Sequence, residues 1–199
     1  MEFLINCVKL PAMQRSGLIY RRQFLALAGA GTAMAMAVPA GSAWAGYWRV
    51  KERKIALHNL WTEEYLDLTY WRDGTYLPGP LADFNYLLRD RRSGQIGDIF
   101  RGVFDQLFWL SRALGSDAPF GVISGFRSES TNNMLHNSSE GVATNSLHTF
   151  GMAVDVRMEG VRDTHIWETA IELGMGGVGL YRGSNFVHLD VGPARSWGG

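Results

Sequence analysis

Cysteine is almost absent from this sequence of 199 residues, which contains only Cys7. A disulfide within the chain is excluded, because it needs two thiols. If the amino-terminal region is removed, as argued below, the rest of the chain has no thiol chemistry. Any metal ion must then be bound by nitrogen and oxygen ligands, which means histidine and carboxylate side chains.

An excess of positive charge is missing as well. The whole sequence has 19 basic and 19 acidic residues, and residues 46–199 have 15 and 18, which gives that part a net charge of −3. Proteins that bind nucleic acid normally have a basic face. We therefore expect no nucleic-acid partner.

A long, unbroken apolar run is the third absence. The stretch that follows Arg21 and Arg22 is rich in alanine and methionine, but glycines and Pro39 interrupt it. This favours an export signal over a permanent membrane helix. The stretch ends in Ala-Trp-Ala at residues 43–45, which has the small residues of a cleavage site. The arrangement predicts a twin-arginine export signal.

We therefore expect a signal region over residues 1–45, within which Met13 is an alternative start, and one domain over residues 46–199. A domain of this length can bury a hydrophobic core without disulfides. The twin-arginine export machinery, an expected partner, carries proteins that are already folded. The predicted location is the periplasm or cell envelope, with no stable membrane span in the mature form.

Apolar spacing predicts the secondary structure. A β-hairpin is expected over residues 53–70, and helices over 81–92 and 98–114, the second capped by Asp98 and ended by Gly115. Further elements are a strand from residue 119, a helix over 128–139 capped by Ser128 or Ser130, a strand over 153–158, a helix over 161–174, and two strands around Gly183-Ser184. The order predicts an α+β fold: a small mixed, mainly antiparallel sheet with helices packed on it.

Two of the five histidines lie in patterns that suggest a shared site, and the other three are expected at surface or packing positions: His58, His136 and His165. His148 precedes Asp155 by seven residues, which is two turns of a helix. Gly151 makes a helix unfavourable there, and a loop followed by a strand is the better interpretation. Alternation in that strand turns Asp155 away from the core.

His188 lies in a second such strand, in the sequence Phe-Val-His-Leu-Asp. Its side chain and that of Asp190 face one way, while the two aliphatic neighbours face the other. Two imidazoles and one carboxylate form a typical catalytic zinc site with an open fourth position for water. A metal there acidifies the water and polarises a carbonyl, as amide hydrolysis requires. Spacing alone also allows a surface histidine before an ordinary strand.

Three segments carry a family resemblance: Ser-Gly-Phe-Arg-Ser at 124–128, the run at 146–155 and the strand at 186–190. In this order they resemble the zinc peptidases of the D-Ala-D-Ala carboxypeptidase, VanX and Hedgehog fold. The segments at 176–181 and 191–197 are more similar still to the YcbK-like murein endopeptidases, also called murein endopeptidase K. The resemblance covers most of residues 53–197 and includes the export signal.

The resemblance implies roles for individual residues. His148 and Asp155 match the Ser-x-His-x6-Asp ligand motif, and His188 matches the third zinc ligand. Arg127 matches an arginine that faces the substrate, where its guanidinium can bind a carboxylate or stabilise an oxyanion.

One position departs from the wider fold, in which Glu or Asp stands three residues before the last histidine as general base. This chain has Asn185 there, and an amide cannot accept the proton. Asn185 can still orient substrate or water. Asp190 is the nearest acidic candidate in sequence, and the alternatives of general base, partner of a ligand histidine and purely structural residue stay open.

The resemblance implies a zinc-dependent peptidoglycan hydrolase that cleaves amide bonds in murein cross-links during cell wall remodelling. Two alternatives stay open. One is a D,D-carboxypeptidase that trims stem peptides, since Arg127 fits a free carboxylate equally well. The other is a zinc-stabilised murein-binding module without catalysis, which the departure at Asn185 motivates.

Overall fold

A mixed sheet of eight strands is the centre of the structure. The computed structural model describes residues 50–138 and 143–199. The strands are β1 (Glu52–Asn59), β2 (Tyr65–Arg72), β3 (Thr75–Tyr76), β4 (Phe120–Ser124), β5 (Ala153–Met158), β6 (Gly177–Tyr181), β7 (Phe186–Asp190) and β8 (Arg195–Trp197). Their order in the sheet is β3-β2-β1-β4-β5-β7-β6-β8. Only the β1–β4 and β6–β8 pairs are parallel, so the predicted mixed, mainly antiparallel sheet is confirmed.

The described part of the chain forms four helices, three of which pack on this sheet. The helices are α1 (Pro78–Leu87), α2 (Arg101–Leu114), α3 (Glu129–Ser138) and α4 (Asp163–Leu173), and a 3-10 turn covers Leu147–Phe150. Helix α1 packs against β2, and α2 contacts both β1 and α4. Helix α4 also contacts β5, β6 and β7. The core between them is built from the aromatic face of α2 and the aliphatic residues that alternate along the strands.

The first predicted hairpin is confirmed as the antiparallel β1–β2 pair, with a register shift between Arg53 and Lys54. The helix predicted over 81–92 instead covers Pro78–Leu87. A proline in its first turn favours the earlier start, because its ring already has a helical φ. The helix stops early because the Asp90 carboxylate accepts hydrogen bonds from the backbone N–H groups of the two residues after Arg91, which makes a turn.

The predicted cap at Asp98 is wrong. Helix α2 begins three residues later and has no side-chain cap. The Asp98 carboxylate instead accepts a hydrogen bond from the Asn85 amide, at 3.2 Å. The predicted end at Gly115 is confirmed, with φ of 62°. Ser128 caps α3 as predicted, because its hydroxyl oxygen accepts a bond from the Thr131 backbone N–H.

The amino-terminal predictions lie outside the described residues. They are the export signal, its cleavage site at 43–45 and Cys7. Within the described part of the chain, no helix has the length and apolar character needed to cross a membrane.

Substitution of Gly151 tests how tightly the fold constrains the loop between His148 and Asp155. Its φ is +64°, and a Cβ there would overlap the backbone oxygen of Asp98. Gly115 has nearly the same φ, but a Cβ there meets open space. We expect Gly115→Ala to lower the free energy of unfolding by about 1 kcal/mol, the cost of left-handed backbone alone.

Gly151→Ala adds the backbone overlap to that cost, and we expect a loss of about 3 kcal/mol or more. Urea unfolding of both variants and the unchanged protein measures the difference. Equal losses in the two variants would mean that the close approach to Asp98 does not constrain this loop.

Candidate metal centre and its cleft

The pairing of β5 with β7 brings two of the predicted ligands together. Asp155 lies directly opposite His188 in this antiparallel pair. Val154 and Val156, on either side of Asp155, are buried in the core. Their burial turns the Asp155 side chain to the other face, where its Oδ1 lies 2.8 Å from Nδ1 of His188. The strand alternation read from the sequence therefore predicts this contact correctly.

His148 reaches the same point from the 3-10 turn before β5. The turn ends at Gly151 in left-handed conformation, and the imidazole is only 2 % exposed. Its Nδ1 lies 2.7 Å from the carbonyl oxygen of Gly125. A carbonyl only accepts, so Nδ1 carries the proton and donates. In the neutral ring, Nε2 therefore has a free lone pair, and it faces Asp155 and His188.

The tautomer of His188 is fixed in the same way, with the two nitrogens exchanged. Its Nε2 lies 3.2 Å from Oδ2 of Asp190 and donates to that carboxylate. In the neutral ring, Nδ1 is the nitrogen with the lone pair. Both histidines thus have one nitrogen oriented by an acceptor and the other directed to Asp155, as is usual for histidines that bind metals.

The spacing of the three atoms fits a metal ion. Nε2 of His148 lies 3.3 Å from Oδ1 of Asp155 and 3.3 Å from Nδ1 of His188. Ligand distances of about 2.0–2.1 Å in a tetrahedron place neighbouring ligand atoms about 3.3–3.4 Å apart. The remaining pair, at 2.8 Å, has hydrogen-bond length and must open by about half an ångström to admit an ion. Within the described residues, this is the one group of three or more potential ligands.

The electrostatics of the group also suit a cation. Burial alone would raise the pKa of Asp155, but the charges and hydrogen bonds of His148 and His188 outweigh it and hold that pKa well below its usual range. Burial would lower the pKa of His188, whereas hydrogen bonds to Asp155 and Asp190 raise it to about 9. The site therefore stabilises positive charge, and a metal ion must displace a proton from His188.

Asp190 lies behind His188 and has no exposed surface. Its carboxylate accepts from the backbone N–H groups of Gly177 and Gly192, and Arg195 binds both of its oxygens, at 2.7 and 3.1 Å. It does not line the cleft in front of the three ligand atoms. These contacts fit the alternative in which Asp190 is the partner of a ligand histidine.

Asn185 does not line that cleft either. It is exposed in the turn between β6 and β7, with φ of +53°. Asparagine is among the few residues that adopt this left-handed conformation readily. The conformation of the turn explains the residue type at this position without a catalytic role.

Arg127 does reach the cleft. Its guanidinium is 3.7 Å from Oδ2 of Asp155, and it donates to the side-chain oxygens of Ser124 and Asn132, both at 3.3 Å. Burial lowers its pKa, while the charge of Asp155 acts in the opposite direction. The two hydrogen bonds use two of the five N–H donors of the guanidinium, so the fork can still donate to an anionic group in the cleft.

Sequence reasoning missed three aromatic residues that line this cleft of about 200 Å³: Tyr181, Phe186 and Trp197. The Trp197 ring lies 5.4 Å from the ring of His188, and its Nε1 donates to the hydroxyl of Tyr181, at 3.2 Å. Alternation along β6 could have placed Tyr181 on the ligand face. Trp197 has no comparable signal, because its position depends on the pairing of β8 with β6.

The other histidines lie elsewhere. His58 pairs with exposed Glu63, at 3.0 Å. His136 lies within 3.5 Å of the Thr144 hydroxyl, and His165 is in the first turn of α4. None of the three belongs to the ligand group.

Comparison with known proteins gives consistent results. The family model described as peptidoglycan L,D-endopeptidase MepK matches residues 48–197. The peptidoglycan L,D-endopeptidase MepK of Escherichia coli K12 is 41 % identical over 177 residues, which cover 89 % of this chain and 96 % of that protein. A probable peptidoglycan L,D-endopeptidase MepK of Haemophilus influenzae is 36 % identical over 180 residues, or 90 % and 96 % of the two chains.

Two aspartates in this region differ in what their loss should do. Asp155→Asn removes a ligand oxygen's charge, and we expect no stoichiometric zinc binding. Asp190→Asn removes only the group that orients His188. We expect it to bind one zinc per chain with affinity reduced about 10- to 100-fold, which is typical for such partners. Titration against a chromophoric chelator measures both.

His58→Ala serves as the control and should bind zinc like the unchanged protein. Normal binding by the Asp155 variant would contradict its assignment as a ligand. An unchanged zinc affinity in a folded Asp190 variant would mean that Asp190 does not orient His188.

Proposed function

The chain belongs to the peptidoglycan L,D-endopeptidase MepK family of metal-dependent peptidases, and on that basis we propose that it hydrolyses amide bonds in the peptide cross-links of murein. The observation that carries the proposal is the convergence of His148, Asp155 and His188 on one point of a cleft. A binding module has no need for a three-ligand centre that opens to solvent. An enzyme that hydrolyses amides does.

We propose zinc as the metal. Two imidazole nitrogens and one carboxylate oxygen are a frequent donor set of catalytic zinc, and the spacing of the three atoms supports this choice. Bound zinc would supply a Lewis acid that polarises the scissile carbonyl and acidifies a water. The chain's own contribution is to fix the tautomers of both histidines, through Gly125 and Asp190.

Arg127 is proposed to bind the substrate beside the metal ligands. Its guanidinium lies close to Asp155 and lines the same cleft, where it can donate to a carbonyl oxygen that gains negative charge. Tyr181 lines this cleft as well, and its hydroxyl can donate while it accepts from Trp197. Together the two residues would orient the peptide and stabilise the oxyanion.

The proton acceptor differs from that of the wider fold. Among the described residues that line the cleft, Asp155 is the one carboxylate, and neither Asn185 nor Asp190 reaches it. At the position where members of the wider fold have an acidic residue, this chain has Asn185.

The bond cleaved is proposed to join an L centre to a D centre. The support is the printed description of the relatives from E. coli and H. influenzae as L,D-endopeptidases. A D,D-carboxypeptidase remains the second candidate, because the fork of Arg127 also fits the terminal carboxylate of a stem peptide.

Because murein is part of the cell envelope, a protein that cleaves it must be located there. We further propose that residues 1–45 are a twin-arginine signal that is removed on export, which leaves one domain over residues 46–199. The family match begins at residue 48, just after the proposed cleavage site. The sequence of that signal is the support for the twin-arginine route.

A muropeptide digest tests the activity. Cross-linked muropeptides are incubated with the zinc-loaded protein, with a chelated sample, with His148→Ala and with the control His58→Ala, and the products are analysed by mass spectrometry. We expect monomers from the zinc-loaded protein and from the His58 variant only, because His148 supplies a ligand and His58 does not.

Complete cleavage by the chelated sample would rule out a metal mechanism. Release of terminal D-alanine alone would identify a carboxypeptidase. Binding of murein without any product, with zinc supplied, would identify a binding module.

A further inference from the structure

A second cleft, of about 450 Å³, adjoins the metal ligands. Arg127 and Phe186 line both clefts, so they form the boundary between the two. The lining of the second cleft also includes Trp61 and the segment after α1, which contains Arg91 and Arg92. A substrate bound at the metal ligands can therefore extend past Arg127 into this space.

Arg91 is positioned in this cleft by an aromatic ring. Its guanidinium lies 3.8 Å from the centroid of Trp61, and Nε1 of Trp61 donates to the carbonyl oxygen of Ile123 on β4, at 2.8 Å. The cation–π contact leaves the N–H groups of Arg91 free to bind a ligand. The guanidinium thus lies at a fixed place without a carboxylate partner among the described residues.

Positive charge in this cleft is not balanced. Arg89, a further lining residue, is neutralised by Glu64 through two contacts of 2.7 and 3.2 Å. Arg91 and Arg92 have no ion pair within the described residues. Among the described residues that line the cleft, the one acidic residue is Asp90, which is 2 % exposed and accepts from the hydroxyl of Ser128.

The arginines also act on one another. Burial lowers the pKa of Arg91, and the charge of Arg92 lowers it further, while the charge of Asp90 acts in the opposite direction. Burial also lowers the pKa of Arg127, where the charge of Asp155 opposes it and the charge of Arg92 adds to it. Like charges held this close repel one another, and a bound anion would relieve the repulsion.

We propose that this arginine cleft, defined by Trp61, Arg91, Arg92 and Arg127, binds the free carboxylates of a murein stem peptide while the scissile amide lies at the metal ligands. The inference rests on the proposed function and deepens it, because it names the part of the substrate that is recognised. Murein stems are acidic peptides, and guanidinium groups bind carboxylates through paired hydrogen bonds. Substrates with amidated stems should then be poor ligands.

A binding experiment separates this recognition from catalysis. The probes are the stem tripeptide L-alanyl-D-isoglutamyl-diaminopimelic acid, which has no cross-link to cleave, and the same tripeptide with its carboxyl groups amidated. Isothermal titration uses the zinc-loaded protein, the double variant Arg91→Gln/Arg92→Gln, and a matched control, Arg112→Gln/Arg157→Gln. The control removes two exposed arginines that do not line either cleft.

We expect the Arg91/Arg92 variant to bind the free tripeptide about tenfold more weakly than the unchanged protein does, because two charge-assisted contacts are lost. The control should bind it normally, and the amidated tripeptide should bind weakly to all three proteins. In cleavage of cross-linked dimers, the same variant should raise KM with little change in kcat, since the chemistry takes place in the other cleft.

Equal binding of the free and amidated tripeptides, or equal loss in the Arg91/Arg92 variant and the control, would overturn the proposal. These outcomes are distinct from a failure of the proposed function. If the unchanged protein binds the free tripeptide selectively but cleaves no dimer, the result supports carboxylate binding in the arginine cleft and contradicts the proposed endopeptidase activity.

Discussion

The register between β5 and β7 is the constraint on which the site depends. It places Asp155 opposite His188 and leaves the aliphatic neighbours of both in the core. A slip of either strand by one residue would turn its polar side chain into the core and its two buried aliphatic neighbours out, at a large cost in hydrophobic free energy. The hydrophobic core therefore fixes the distance between Asp155 and His188. The third ligand, His148, is positioned by the 3-10 turn before β5.

Glycines on the ligand face of β6 make the second layer of this site possible. A Cβ at Gly177 would overlap the guanidinium of Arg195, and one at Gly179 would overlap the ring of Trp197. Without side chains at these positions, Arg195 can bind buried Asp190 and Trp197 can pack on His188. The glycines on one face of β6 thus leave room for Trp197 to pack on His188 and for Arg195 to bind the aspartate behind it.

Features that depend on strand alternation or on a glycine at a helix end could be predicted from the sequence. The hairpin, the ends of α2 and α4 at Gly115 and Gly174, and the shared face of Asp155 and His188 all follow from local patterns. The missing cap at Asp98 has a tertiary cause, because the Asp98 carboxylate accepts a hydrogen bond from the Asn85 amide. The early end of α1 has a local cause, the turn at Asp90, which sequence reasoning did not recognise. The arginine cleft joins residues far apart in the chain, so no local pattern indicates it.

The central claim is that three specific atoms bind one metal ion: Nε2 of His148, an Oδ of Asp155 and Nδ1 of His188. A crystal structure of the zinc-loaded protein, with diffraction recorded at the zinc absorption edge, tests it most directly. We expect one anomalous peak about 2.0–2.2 Å from each of these atoms, with Nε2 of His188 still bound to Asp190. A peak at another place, or a zinc bound through Nε2 of His188, would contradict it.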